Sequence, residues 1–257
     1  MDNREKKTTL LGHLKDLRRV LMISLAAIVI GVLGCYFFLR EPLMAIAFGP
    51  IRQLGKDAVM IGVGEGFIVQ MKVACIAGIT IASPAVLWQA FTFVLPALYQ
   101  HEKKAFILCF FAAVVMFFAG ILFAYLYVLD FGLRTFLLDY AGGMTTMISA
   151  SKYLSFLETF LLPFGLIFQI PLVTGFLTKI GILTPDKLKR KRRYAILIIL
   201  IVAAFLTPPD ILSQIMLSVP MFALYEVSIL FSKYIVKKKE AKQKAEYQLA
   251  KKIYHLE

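Results

Sequence analysis

The sequence has little charge for its length. Only 18% of its 257 residues are Asp, Glu, Lys or Arg, whereas 60% are hydrophobic, and the mean hydropathy is +0.77. Soluble domains contain about a quarter charged residues and about half apolar ones. The composition therefore excludes an ordinary soluble domain. It predicts an all-α, polytopic membrane protein, because a helix satisfies its own backbone hydrogen bonds in lipid.

Residue types that build metal and catalytic sites are also scarce. The cysteines Cys35, Cys75 and Cys109 all lie in apolar runs without paired spacing, which is typical of packing residues rather than of a disulfide or metal site. The three histidines are far apart, and the chain has no G-x-S-x-G, H-E-x-x-H or P-loop motif. We therefore predict no enzymatic activity, no metal site, no cofactor and no nucleic-acid partner.

Long apolar runs occupy most of the chain. A helix of about 20 residues crosses a hydrocarbon core of about 30 Å. Four runs approach or exceed that length: 20–39, 73–98, 105–129 and 159–178. Two shorter runs flank Thr207-Pro208-Pro209-Asp210, at 194–206 and 211–225, which predicts a short helical hairpin. The pattern predicts a domain of six transmembrane helices at residues 1–235 and a lysine-rich cytoplasmic tail at residues 236–257.

Basic residues give the orientation of these helices. Of the 29 Lys and Arg residues, 23 lie in the terminal segments and in the turns on the same side, and six lie in the opposite segments. Lys and Arg accumulate on the cytoplasmic side, so both termini are predicted to be cytoplasmic. The segments 40–72 and 130–158 are then outer loops. Residues 1–19 lack a cleavable signal pattern, so the first run is expected to remain as a helix.

Acidic residues next to membrane helices are candidates for function. Glu102 lies in a turn between two long runs that contain no other charge, and Asp16 precedes the first run. Each could instead be stabilised by a helix N-terminus. Glu226, near the inner end of the last run, is expected to pair with Lys233.

Two polar residues near the membrane allow more than one interpretation. Gln169 precedes Ile170-Pro171, where the proline should kink the helix. Its amide either forms a structural hydrogen bond between helices or has a role in the activity of the protein. Asp210 is typical of a turn residue.

Many short motifs, in order along most of the chain, resemble the TatC family, the multi-spanning receptor of the twin-arginine protein translocation system. They extend from residue 10 to about residue 235. They are His13-Leu14-x-Asp16-Leu17-Arg18, Pro50, Ser83-Pro84, Phe91-x-Phe93-x-x-Pro96-Ala97-Leu98-Tyr99-x-His101-Glu102, Tyr153-Leu154-Ser155-Phe156, Phe164-Gly165, Pro171, Gly181-Ile182-x-Thr184-Pro185, Arg190-Lys191-x-Arg193-Tyr194 and Leu206-Thr207-Pro208-Pro209-Asp210-x-x-Ser213-Gln214.

The resemblance implies a receptor in the bacterial inner membrane that binds the twin-arginine signal peptide of folded cargo. In the family, acids at the positions of Asp16 and Glu102 carry that role. A carboxylate suits a guanidinium group, because the two can form paired, planar hydrogen bonds. Phe93 and Leu98 are expected to meet the apolar part of the peptide, and Arg18 belongs to the same candidate site.

The resemblance also implies partners. Single-span proteins of the TatA and TatB type, self-association and transport driven by a proton gradient are expected, with Gln169, Pro50 and Asp210 as candidate partner or translocation residues. Two positions depart from the family. Asp16 stands where glutamate is common, which keeps the charge, and Gln169 stands where a glutamate is common, which removes a titratable group.

Two other functions compete with this interpretation. A secondary transporter would require a repeat of the hydropathy pattern and an ion site at the membrane midplane, and we find no convincing repeat. An insertase or structural scaffold would not prefer paired arginines.

Overall fold

The structure, a computed structural model, describes residues 2–94, 103–139, 147–206 and 211–253. Nearly all of them are helical, so the prediction of an all-α membrane protein is confirmed. The chain divides into two compact units, Met1–Gly165 and Leu166–Glu257.

The first unit is built on long helices joined by short extended segments. Its described residues form the helices α1 (Asp2–Phe38), α2 (Arg40–Gln53), α3 (Glu65–Val94), α4 (Lys103–Phe123), α5 (Leu129–Arg134) and α6 (Ala150–Ile167). Two π-helical turns, Ala124–Val128 and Thr135–Asp139, extend α4 and α5. The two-residue strands β1 (Ala58–Val59) and β2 (Ile148–Ser149) pair in parallel.

The described residues of the second unit form four helices. They are α7 (Ile170–Lys179), α8 (Pro185–Arg190), α9 (Arg192–Leu206) and α10 (Ile211–Ile253). Thr178 Oγ1 and Ser232 Oγ lie 2.8 Å apart and join α7 to α10. Gln214 Nε2 donates to the Leu200 carbonyl at 3.1 Å and joins α10 to α9.

Five helical stretches in the described residues are long and apolar enough to cross a membrane. They are Leu14–Phe38, Glu65–Phe93, Ile107–Leu138, Ala150–Lys179 and Ile211–Gln248. Many large apolar side chains on them are exposed, among them Ile30 and Phe111, as expected where the surrounding medium is lipid. The sixth predicted crossing is the shorter helix α9, of 15 residues.

The described parts of the two predicted outer loops contain helices and strands. The segment 40–72 holds α2, β1 and the first two turns of α3, and the segment 130–158 holds α5, β2 and the start of α6. The boundaries at residues 73 and 159 are wrong because the charges that end the apolar runs are accommodated within helices. Lys72, for example, donates from Nζ to Ser155 Oγ at 2.5 Å and to the Ser151 carbonyl at 3.3 Å.

The fourth predicted run is interrupted where proline predicts a kink. Helix α6 ends at Ile167 and α7 begins at Ile170. Pro171 has no N–H with which to continue the ladder. The Gln169 N–H instead bonds the Leu166 carbonyl at 3.0 Å, a tighter turn than an α-helix makes.

The last helix is longer than the sequence predicts. Helix α10 continues without a break from the apolar segment into the lysine-rich tail, as far as Ile253. The predicted domain boundary at residue 235 therefore lies within a helix.

Candidate functional site

Asp16 and Arg18 lie on α1 and are exposed. Because α1 begins at Asp2, Asp16 stands about four turns inside the helix. The helix-terminus explanation of this acid is therefore wrong, since the dipole effect is confined to the first turn. Basic residues surround it in sequence, namely Lys15, Arg18 and Arg19, yet no described side chain forms an ion pair with Asp16.

Phe93 lies in the last turn of α3, half-buried. Near it, Trp88 packs edge-on against Phe110 of α4 with ring centroids 4.9 Å apart, and Phe91 packs against the same ring at 6.4 Å. The last turns of α3 therefore carry several aromatic side chains.

Three of the predicted site residues lie outside the described residues: Leu98, Glu102 and Asp210. Helix α4 begins at Lys103, directly after Glu102.

Helices α1 and α3 approach each other closely at two glycines. A Cβ atom built on Gly78 would lie 2.5 Å from both Cα and N of Val32, and one on Gly31 would lie 2.7 Å from the Gly78 carbonyl oxygen. Small residues of this kind let membrane helices pack backbone to backbone. This contact fixes the helix that carries Asp16 against the helix that carries Phe93.

Pro50 is buried inside α2 rather than in a loop. A proline at this position cannot donate to the carbonyl of Ile46, four residues earlier. The Tyr125 hydroxyl donates to that carbonyl at 2.8 Å. Nearby, Tyr153 donates to the Ala47 carbonyl at 2.7 Å, so two tyrosines hold α2 on the rest of the first unit.

Gln169 occupies the break between α6 and α7, half-buried, with its Oε1 shielded from solvent. Its amide therefore lies in the part of the chain where the helix ladder is interrupted.

Glu226 does not pair with Lys233 as the sequence predicts. Its Oε2 accepts from Arg192 Nη2 at 2.6 Å, and the adjacent Tyr225 hydroxyl donates to the Leu188 carbonyl at 2.8 Å. Glu226 pairs with Arg192 rather than with Lys233 because α9 begins beside this part of α10. The guanidinium group of Arg192 then lies within hydrogen-bonding distance of the carboxylate. The two bonds hold the basic segment of α8 and α9 on α10.

Within the described residues, no group of three His, Cys, Asp or Glu side chains could hold a metal ion.

Comparison with known proteins identifies the family. The family model of the Sec-independent protein translocase protein TatC matches residues 12–220. The chain belongs to the TatC family. The TatC of Carboxydothermus hydrogenoformans is 41% identical over 90% of this chain and 95% of its own length. TatCy of Bacillus subtilis is 36% identical over 93% and 94% of the two chains.

Solved structures agree with the sequence comparison. The crystal structure of the twin-arginine translocase receptor TatC superposes with a TM-score of 0.77 at 33% identity, over 87% of this chain and 99% of that one. A second crystal structure of the same receptor, in DDM, gives a TM-score of 0.78 at 34% identity. This chain is therefore a multi-spanning membrane component of Sec-independent protein translocation.

The TatC match covers every predicted site residue, from Asp16 to Asp210, and stops short of the lysine-rich tail. Within that range the structure reveals one further polar residue that sequence reasoning missed, Glu65. Its side chain is 8% exposed at the start of α3.

The Glu65 carboxylate joins the two short segments that flank the strands. Its Oε2 accepts from the Ile61 and Gly62 N–H groups at 2.5 and 3.1 Å. Its Oε1 accepts from Ser149 Oγ at 2.5 Å and from the Ser151 N–H at 2.9 Å. The available signal was an acid between glycines beside an apolar run, in the segment 40–72 that the sequence predicts to be an outer loop.

Proposed function

We propose that this TatC-family chain is the receptor subunit of a twin-arginine translocase. It binds the Arg-Arg signal peptide of folded cargo at the cytoplasmic face of a bacterial inner membrane. Both termini lie on that face, six helices cross the bilayer, and the subunit has no enzymatic activity. Transport is driven by the proton gradient after single-span proteins of the TatA and TatB type have joined the complex.

The exposed carboxylate of Asp16 carries this proposal. It stands among basic residues without an ion pair to any described side chain, so it is available to a cation from another molecule. A surface dominated by Lys and Arg repels an Arg-Arg peptide, and placed acids are needed to attract it. Glu102 is proposed as the second acid, because each guanidinium group then has its own carboxylate partner.

The apolar part of the signal peptide is proposed to meet Phe93 and Leu98. The aromatic end of α3 supports this, since Trp88, Phe91 and Phe110 pack there and leave Phe93 partly accessible. Arg18 is proposed to contact polar groups of the peptide beside Asp16.

Binding of a fluorescent twin-arginine peptide to the purified chain in detergent tests the acidic site. Asp16→Ala and Glu102→Ala should each weaken binding about 10- to 100-fold, because a hydrogen bond to a charged partner contributes about 1.5–3 kcal/mol. Glu41→Ala is the matched control, since Glu41 is an exposed acid on α2 of the same unit.

A peptide with Lys-Lys in place of Arg-Arg should bind much more weakly to the unmodified chain, because lysine lacks the planar pair of donors. Equal binding of the two peptides, or equal losses for Asp16→Ala and Glu41→Ala, would show that the acids do not recognise the arginine pair.

Gln169, Pro50 and Asp210 are proposed as residues that support the partner proteins. A glutamine amide can form hydrogen bonds between membrane helices. Gln169→Leu should reduce co-purification of TatA- and TatB-type proteins and leave peptide affinity unchanged. Unchanged co-purification would reduce Gln169 to a packing residue. Gln169→Glu should retain assembly if hydrogen bonding is what matters.

A further inference from the structure

The first unit contains an apolar groove between α2, α3, α4 and α6, with a volume of about 470 Å³. Three lining residues, Ile46, Ile81 and Leu122, are more than half exposed, at 57%, 52% and 56%. The groove is therefore open to the surroundings along the sides of the helices. Its lining is Leu43, Ile46, Ala47, Val73, Ile76, Ala77, Thr80, Ile81, Phe118, Ile121, Leu122, Tyr125, Leu157 and Leu161.

The groove offers a ligand nothing polar to bind. Its two hydroxyl groups are both engaged with backbone carbonyls of the same unit. Thr80 Oγ1 donates to Ile76 at 2.7 Å, and the Tyr125 hydroxyl donates to Ile46 at 2.8 Å. Most of the lining belongs to three of the spanning stretches, so the medium at its opening is lipid hydrocarbon. An apolar occupant is therefore favoured.

The dimensions favour an occupant narrower than a helix. An α-helix with its side chains is about 10 Å wide, so about 470 Å³ holds only about one turn of it. A methylene group is similar in size to a water molecule, which takes about 30 Å³ of liquid, so the same volume holds on the order of fifteen methylenes. That is the size of one lipid acyl chain.

A cation stands at the α2 end of the groove. Arg40 is the first residue of α2, is exposed, and precedes the lining residue Leu43 by three positions on the same helix face. A guanidinium group binds phosphate with paired hydrogen bonds. Arg40 therefore lies where the headgroup of a lipid would be if its chain filled the groove.

We propose that this groove is a binding site for one phospholipid, with an acyl chain along α3 and α4 and the phosphate at Arg40. The lipid completes the packing of α2 against α3 and α4 in the membrane, and detergent or an empty groove leaves that packing incomplete.

Photo-crosslinking tests the site with the full chain in vesicles of phosphatidylethanolamine and phosphatidylglycerol. A trace of phosphatidylethanolamine carries a diazirine in its acyl chain, and labelled peptides are mapped by mass spectrometry. The yield of labelled peptide should be higher for residues 73–81 and 118–125, which line the groove, than for the exposed residues 21–30 of α1. Ala77→Phe fills the groove and should remove this excess, whereas Ala26→Phe, the same change at an exposed position of α1, should preserve it.

A second variant avoids any change to the packed helices. Arg40→Gln should lower the phospholipid that survives exchange into detergent by about fivefold, as measured by native mass spectrometry, because one basic residue near the membrane surface contributes about that factor. Uniform labelling of all lipid-facing surfaces would overturn the proposal. So would unchanged retention in Arg40→Gln, or a photoreactive residue at position 77 that captures a protein chain instead of lipid.

Discussion

The glycine contact between α1 and α3 gives the sharpest test of how the fold positions the candidate site. We consider Gly78→Ala, which adds one methyl group to α3 where it faces Val32. The new Cβ would lie 2.5 Å from two backbone atoms of Val32, whereas carbon atoms pack at about 3.5–4.0 Å. Neither backbone atom can rotate away, so the two helices must separate by about 1 Å.

The magnitude follows from two opposing effects. Overpacking of a tight interface costs about 1–3 kcal/mol, while replacing glycine by alanine inside a helix recovers about 0.5–1 kcal/mol. We therefore expect Gly78→Ala to lower the free energy of unfolding by about 1–2 kcal/mol. It should also weaken signal-peptide binding, because the separated helices carry Asp16 and Phe93.

Thermal unfolding in detergent provides the assay, with Gly34→Ala as the control. Gly34 lies on α1, and a Cβ atom there would meet nothing within 4 Å. The same substitution should therefore leave stability unchanged or raise it slightly, through the helix-propensity gain alone. If both variants shift the unfolding temperature in the same direction by the same amount, the close contact at Gly78 is not what holds α1 on α3.

Three further predictions concern polar contacts. Tyr125→Phe should lower the free energy of unfolding by about 1 kcal/mol, because it removes the donor to the Ile46 carbonyl. In a Pro50→Ala background the new N–H of residue 50 can donate to that carbonyl, so the loss should be smaller. A double-mutant cycle measures the difference. Glu226→Gln should change stability by less than about 1 kcal/mol, as for a partly exposed ion pair, yet raise hydrogen exchange at the start of α9, where its partner Arg192 lies. Glu65→Ala should expose the segment 54–64 to limited proteolysis, because the carboxylate is its anchor, whereas Asp57→Ala should not.

Long apolar runs made the spanning helices predictable. The hydrocarbon thickness sets the length of a crossing, and the backbone must form its hydrogen bonds within the segment. The length and composition of an apolar run therefore predict both that it is helical and that it lies in the membrane. Pro171 similarly made the interruption of the fourth run predictable, since a missing N–H breaks the ladder wherever it occurs.

Helix ends were less predictable, because they depend on tertiary contacts. Glu65 and Lys72 ended an apolar run in the sequence, but bonds to Ser149, Ser151 and Ser155 let α3 begin well before residue 73. Those serines lie about 80 residues further along the chain. No local pattern shows that they meet α3, and for the same reason the pairing of Glu226 with Arg192 was missed.

The acids differ in whether they have a partner within the chain. Glu65, Asp130, Asp186 and Glu226 each have a described partner within the chain, and the bonds of Glu65 and Glu226 join separate segments of the fold. Asp16 has none among the described side chains although basic residues flank it. Asp16→Ala should therefore leave the unfolding temperature unchanged and reduce peptide binding, whereas Glu65→Ala should lower the unfolding temperature and spare the intrinsic affinity of the folded fraction. Measuring both quantities on both variants decides the matter: a loss of stability in Asp16→Ala would mean that its carboxylate is part of the fold.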